Sequence, residues 1–428
     1  MSTNLSRKVI VLAVDRLNPS QIGAYGNTCH GTDAMNRIAG RGVLFDQAVA
    51  PIANLEASYR DLFGAASVNA TSNDSPGGTW LAAVNQAGVE STFICDRDWL
   101  AESDVLAEFD SVMCVSVMPL DRLASRASLT SLARFFAQLI DHLESMPSQS
   151  LAWVDCSGLA GQWDAPYELR QRLADPDDPE PPKFHEPPEF VFDTKGGDPD
   201  ALLGVQQAMD AQVRLLDDFI GVLLDVLDQP EFADAMFCLT SLRGYALGQH
   251  GLVGAPGAQF AQTLPLKYGY NESVHSPLMV CLPEKFASEQ AVCGQSLRSG
   301  KLVTPAVVPS LIEPFFCRAD DQVESWLVEN SALPASDRAM VVFRNDPELV
   351  LLTHAWKFMF NTDTDECELY AKPDDLWEVN DVSQRCPNEV RLFRELAEEV
   401  LAEEVLKDQG VVGRDGWRLP EDLVTRHG

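Results

Sequence analysis

The side chains able to do chemistry gather where apolar runs end. Asp15 follows Val9-Ile10-Val11-Leu12-Ala13-Val14, a β-branched run with no polar face, and Asp96 and Asp155 end two further apolar runs at 91–95 and 151–154. A run that is apolar on both faces reads as a central strand of a parallel sheet covered by helices, and in such sheets ligands bind outside the carboxyl ends of the strands. Asp15 therefore stands where a carboxylate can meet a ligand, although the same residue can cap the turn Asp15-Arg16-Leu17-Asn18-Pro19. The run at 235–240 delivers Ser241-Leu242-Arg243-Gly244 to the same edge, and the next turn, Leu247-Gly248-Gln249-His250-Gly251, holds a lone histidine. A histidine so placed can line a site or act as a structural hydrogen-bonding group.

The elements that must position these residues alternate between strand and helix. Helices are expected at 32–41, at 80–86 behind the cap Thr79, and from Leu132, where Phe135, Phe136, Leu139, Ile140 and Leu143 keep helical spacing. Met209, Val213, Leu216, Ile220, Leu223, Leu224 and Leu227 mark the longest helix. Between them, residues 174–200 are rich in Asp, Glu and Pro and read as a surface excursion or lid. Strands at 277–281 and a helix at 305–316 follow, and beyond about residue 325 short strands (339–343, 349–353, 357–361) lead to a closing helix at 388–406. The expected architecture is an α/β domain over 1–325, its large mostly parallel sheet sandwiched by helices, then a small α+β subdomain over 326–406 and a tail at 407–428.

Charge and cysteine usage set limits on partners. With 32 Lys and Arg against 64 Asp and Glu the net charge is −32, which excludes nucleic acid and anionic membrane surfaces as expected partners. An anionic ligand would need a local positive feature, a metal ion or an arginine. The ten cysteines (29, 95, 114, 156, 238, 281, 293, 317, 367, 386) form no C-x-x-C pair and read as reduced thiols. The apolar stretch at 9–14 is too short for a secretory signal or a membrane span of about 20 residues. A cytoplasmic location is expected.

Taken in order, these segments resemble the sulfatase family of the alkaline-phosphatase superfamily over nearly the whole chain. Val11-Leu12-Ala13-Val14-Asp15-Arg16-Leu17 and Gly23-Ala24-Tyr25-Gly26 are similar to the family's opening strand, metal-binding Asp and G-x-Y-G. Residues 81–92 resemble the helix and strand that follow the nucleophile, and Asp217 with Gly221 resembles the D-x-x-x-G of the long helix. Leu247-Gly248-Gln249-His250-Gly251 is similar to L-G-E-H-G, and Tyr270-Asn271-Glu272-Ser273 with Pro277-Leu278 to Y-E-E-S-x-x-x-P-L. Trp356-Lys357-Phe358, Glu368-Leu369-Tyr370 and Leu376-Trp377-Glu378-Val379-Asn380-Asp381 look like the K-Y, E-L-Y-D and D-P-x-E-x-x-N-L blocks.

The resemblance implies hydrolysis of sulfate esters, or of some phosphate or phosphonate esters, at Ca²⁺ or Mn²⁺ with a Cys or Ser oxidised to formylglycine. Asp15 matches the first ligand position, but Arg16 stands where many members have a second Asp. Leu242 and Arg243 replace the Asp and the His or Asn of S-D-H-G or S-D-N-G; Leu binds no metal, and Arg243 would repel one or fill its place with a guanidinium. The nucleophile motif should fall within 54–60, which holds no Cys: anchoring on Arg60 puts Glu56 at that position, anchoring on Gly64 brings Ser58 nearer. Ala255 stands at the position of a basic residue after the histidine turn, and 155–161 lacks the family's loop His. The carried-over set is thus Ser58, Arg60 and His250 as catalytic positions and Asp15 as the retained ligand position, with no cofactor expected from the residues themselves. Three readings follow. One is a pseudo-sulfatase that binds a small anionic ligand or a protein partner. Another is an active hydrolase of rearranged centre, using Ser58 with ligands from Asp15, Asp46, Glu56 or Asp96. The third is a scaffold using its acidic surface.

Overall fold

The computed structural model describes residues 7–51, 54–65, 78–117, 120–254, 268–283, 297–318, 340–345, 347–404 and 423. Eleven strands precede the C-terminal region: β1 (Arg7–Val14), β2 (Val43–Ala48), β3 (Glu90–Cys95), β4 (Ser111–Cys114), β5 (Gln149–Cys156), β6 (Phe190–Val191), β7 (Ala235–Thr240), β8 (Ala246–Leu247), β9 (Leu252–Gly254), β10 (Leu278–Cys281) and β11 (Leu297–Val303). Eight of them form one sheet in the order β11-β2-β10-β7-β1-β5-β3-β4. Only β10 runs against its neighbours, β7 and β2. This is the expected α/β class.

All eight residues of β1 are buried because the strand lies inside the sheet with helices over both faces. Ile10, Leu12 and Val14 point into one layer, with α1 (Asp33–Arg41) and the helices Ser131–Ser145 and Pro199–Leu227. Val9 and Val11 point into the other, with α2 (Leu55–Phe63), α3 (Trp80–Gln86) and the helix Val307–Cys317. The period of two in β1 thus divides one apolar run between two cores.

Several elements depart from expectation for identifiable reasons. Strand β4 was not foreseen: it is the sheet's edge strand, its residues are mostly exposed, and it has no apolar pattern. The long helix Pro199–Leu227 begins ten residues before its clearest apolar stripe. Pro at the first position needs no N–H partner, and the Asp198 side chain accepts from the Asp200 amide at 3.0 Å, so a short polar sequence suffices to start the helix. Within 174–200, β6 pairs with β9. Among the described residues no helix is long and apolar enough to cross a membrane.

The C-terminal region is an antiparallel sheet in the order β12 (Met340–Asn345), β13 (Glu348–Thr353), β14 (Trp356–Asn361), β15 (Cys367–Ala371), backed by the helix Pro387–Glu404. The 325/326 boundary and, Leu423 apart, the 407–428 tail lie outside the described residues. One face of this sheet packs on that helix, and the other buries Val341, Val350, Leu352 and Met359 against Val49, Tyr270, Val274 and Leu302 of the large domain. A polar lock reinforces the contact. Glu378 accepts from Lys357 and Lys372, each at 2.7 Å on Oε1, and from the Asn271 amide at 2.8 Å on Oε2. Burial pushes Lys357 down to about 8, with Glu378 opposing. Glu378→Gln leaves two buried ammonium groups without their anion and is expected to cost about 3–5 kcal/mol, read as a fall in the urea midpoint. A change under about 1 kcal/mol would mean that the lock is replaced by solvent.

Candidate active site

Four parallel strands end together, and the residues there form one charge cluster. Asp15 follows β1, Asp155 is the seventh residue of β5 in register with Ala13 and Cys95, and Asp96-Arg97 follows β3. Arg243 enters after β7. The Asp15 carboxylate is fully buried, and both oxygens are occupied: Arg243 Nε donates to Oδ1 at 2.7 Å and Nη2 to Oδ2 at 2.8 Å, while Arg97 Nη2 donates to Oδ2 at 2.5 Å. Arg97 Nη1 also donates to Asp155 Oδ1 at 3.1 Å, and Tyr59 Oη donates to Asp155 Oδ2 at 2.6 Å. The fork of Arg243 matches the Asp15 carboxylate edge, and the fork of Arg97 bridges Asp15 and Asp155, so this is strong, directional pairing.

The electrostatics follow from burial and proximity. Burial pushes the Asp15 carboxyl up, but Arg97 and Arg243 outweigh it and hold it at about 2. Burial also pushes Asp155 up, to about 6; Arg97 opposes this and Asp15 adds to it, because two carboxylates share one guanidinium. Asp96 stands aside from the Asp15 carboxylate, accepting from the Ser157 amide at 3.0 Å and the Ser157 hydroxyl at 2.6 Å. The loop passes so near β1 that a Cβ on Gly158, which has φ 51°, would lie 2.5 Å from Val14 Cγ1. Only glycine fits there without strain.

Arg16, beside Asp15, takes a left-handed φ of 64° and turns its Nη1 to Glu189 at 2.9 Å. Leu242 is buried in the second apolar layer. The sequence-derived positions therefore divide. Asp15, the candidate ligand, meets Arg243. Ser58 lies buried in α2 and donates to the Asn54 carbonyl at 3.1 Å, while Arg60 points outward to Glu56 and Asp104 at 3.1 and 3.2 Å. Ser58, Arg60 and Leu242 line a separate cavity of 350 Å³. Asp46 pairs with Arg298, so Asp46, Glu56 and Asp96 each have different partners and do not converge with Asp15. Ala255 lies outside the described residues.

His250 belongs to a third place. Its Nε2 lies 3.0 Å from the Glu378 carbonyl and its Nδ1 3.3 Å from Glu272 Oε1, and its ring stacks on Tyr270 at 3.6 Å between centroids. Both nitrogens face acceptors; burial disfavours the imidazolium, and Glu272 outweighs it to raise the pKa. His250 makes no contact with the Asp15 cluster. Sequence reasoning missed Arg97 and Asp155 as partners of Asp15. The available signal was that all three stand at strand ends, where a buried carboxylate must find a cation.

A divalent metal of the kind the family resemblance implies takes about six to eight oxygens when it is Ca²⁺, several of them anionic. The donor set here does not fit: both oxygens of Asp15 are held by guanidinium groups, and among the described residues no group of three His, Cys, Asp or Glu is placed to hold a metal.

No family model matches the chain, and no curated protein matches it in sequence. Solved structures do match its fold. The phosphonate monoester hydrolase of Agrobacterium radiobacter is 14% identical with a TM-score of 0.64, over 95% of this chain and 99% of that one. A phosphonate monoester hydrolase from Silicibacter pomeroyi is 13% identical with a TM-score of 0.62, over 93% and 95%. A 2-O GAG sulfatase is 12% identical with a TM-score of 0.65, over 95% of each chain. The chain has the fold shared by these sulfatases and phosphonate monoester hydrolases.

Two outcomes test the cluster. Asp15→Asn removes the anion between two largely buried arginines and is expected to cost about 3–5 kcal/mol in urea unfolding. The pH dependence has a definite sign. Asp155 titrates near 6 when folded and near 3.8 when unfolded, so the folded chain binds the extra proton between those values and this group's stabilisation is lost as pH rises through 6. The stability of wild type relative to Asp155→Asn should fall between pH 4 and pH 6.5; a flat or rising difference would contradict the assignment.

Proposed function

We propose that this chain is a non-hydrolytic protein on a sulfatase fold, one that recognises a ligand or a partner and does not cleave an ester. The observation that carries the reading is the occupation of Asp15: the carboxylate in the first metal-ligand position of the family pattern has both oxygens bound by Arg97 and Arg243. Arginine stays charged and presents only donors, so it neutralises Asp15 without offering the Lewis acidity that lowers the pKa of a nucleophile and gathers ester oxygens. Leu242 leaves no second carboxylate on β7, and the hydroxyl of Ser58 is turned onto its own helix.

The test is a thermal-shift series with EDTA, Ca²⁺ and Mn²⁺, run beside a panel of aryl sulfates, phosphate monoesters and phosphonate monoesters. A metal bound to the native state at 100 times its Kd would add about 2.7 kcal/mol of stability. The expected result is no metal-dependent shift and no turnover above buffer. Turnover that EDTA abolishes and Ca²⁺ or Mn²⁺ restores would overturn the proposal.

A further inference from the structure

We infer that the cleft between the histidine turn and the C-terminal sheet is a binding site for a neutral, polyhydroxylated ligand of the saccharide class. The inference rests on the recognition reading above and gives it a place and a chemistry. The cleft has a volume of 720 Å³, within the range of about 300–1,000 Å³ typical of small-molecule sites. None of Asp15, Arg97, Asp155 and Arg243 is among its lining residues.

Its wall contains a buried acceptor with nothing to accept from. The Glu272 side chain is 7% exposed, its Oε1 faces His250, and its Oε2 has no hydrogen-bond partner. Leaving a buried carboxylate oxygen unpaired is costly, and a ligand hydroxyl would satisfy it. The same cleft also has an apolar surface. Trp377 lines the same cleft with half of its surface open to solvent, a large exposed aromatic beside an apolar neighbour, Leu376. The two are held in fixed relation: the Asn271 side-chain amide donates to the Leu376 carbonyl at 3.0 Å, and the Asn271 backbone amide donates to Glu378. An apolar face and a hydroxyl acceptor within one cleft are what a pyranose ring needs, since its C–H face is apolar and its edge carries hydroxyls.

Charge selects the neutral member of that class. The charged groups around the cleft are already paired: Glu272 with His250, Asp46 with Arg298, and Lys372 with Glu378. Among the described residues that line the cleft no cation remains unmatched to receive a sulfate or phosphate, and the net charge of −32 repels either at long range. Gln47 and Gln249 add neutral amides to the lining.

The experiment uses the full chain on an array of neutral oligosaccharides with their sulfated counterparts, followed by calorimetric titration of any oligosaccharide bound. Binding to a neutral oligosaccharide is expected, weaker for its sulfated form, and reduced about tenfold or more by Trp377→Ala and by Glu272→Gln. Trp377 is half exposed, so its variant should fold even where Glu272→Gln does not. Absence of neutral-glycan binding, preference for the sulfated forms, or affinity unchanged in Trp377→Ala would each overturn the inference. Ester turnover by the same preparation, with glycan binding still sensitive to Trp377→Ala, would overturn the non-hydrolytic reading and support the cleft assignment.

Discussion

A carboxylate with no access to solvent, at the end of the central strand of a two-layered sheet, requires a countercharge, and much of the surrounding edge is arranged to give Asp15 one. Burial alone would push its pKa up and leave the folded state with a desolvation cost of several kcal/mol. Arg97 and Arg243 reverse that balance and hold the group ionised at about 2. Arg97 extends the pairing to Asp155, which in turn engages Tyr59 of α2, so one anion ties together the ends of β1, β3, β5 and β7 and the helix behind them. Two arginines and two carboxylates offset each other locally even though the chain as a whole is strongly acidic.

This arrangement explains how the fold can persist under the proposed loss of hydrolysis. What the strand ends need from a cation is neutralisation, and a guanidinium supplies it in a form that the chain itself encodes. What an ester hydrolase needs is different: open coordination positions, several oxygen ligands and a nucleophile aimed at them. The first requirement is met by Arg97 and Arg243. Under the proposed reading the second is left unmet, with Leu242 in the apolar core and Ser58 and Arg60 in or beside a separate cavity.

A second polar centre does mechanical work between the two domains. Glu378 gathers Lys357, Lys372 and the Asn271 amide, and His250 donates to the carbonyl of the same residue. The turn carrying His250 and the short helix Asn271–Val274 are thereby fixed against the loop that carries Trp377. Hence the segment most similar to the L-G-E-H-G pattern positions a cleft beside the C-terminal sheet, at a distance in contacts from Asp15.

The sequence by itself determined the α/β alternation, the central place of β1 and the delivery of Asp15 and Arg243 to one sheet edge, though not their pairing, because each is written in runs of neighbouring residues: apolar stretches of strand length, helical stripes, and the polar residue that ends each run. It also determined that Leu242 could not serve a metal. Edge strand β4 escaped because an exposed strand has no apolar pattern to read. Only the tertiary structure decided that Arg97 completes the Asp15 cluster, that Arg60 faces Glu56 and Asp104, that His250 pairs with Glu272, and that the other oxygen of Glu272 is buried without a hydrogen-bond partner. These are choices of partner among many like-charged candidates. Asp15 and Arg243 are 228 positions apart, and Asp15 and Arg97 are 82 apart. Hydrophobic period fixes which way a residue faces, whereas the identity of its ion-pair partner depends on strand order and loop path, which no local pattern encodes.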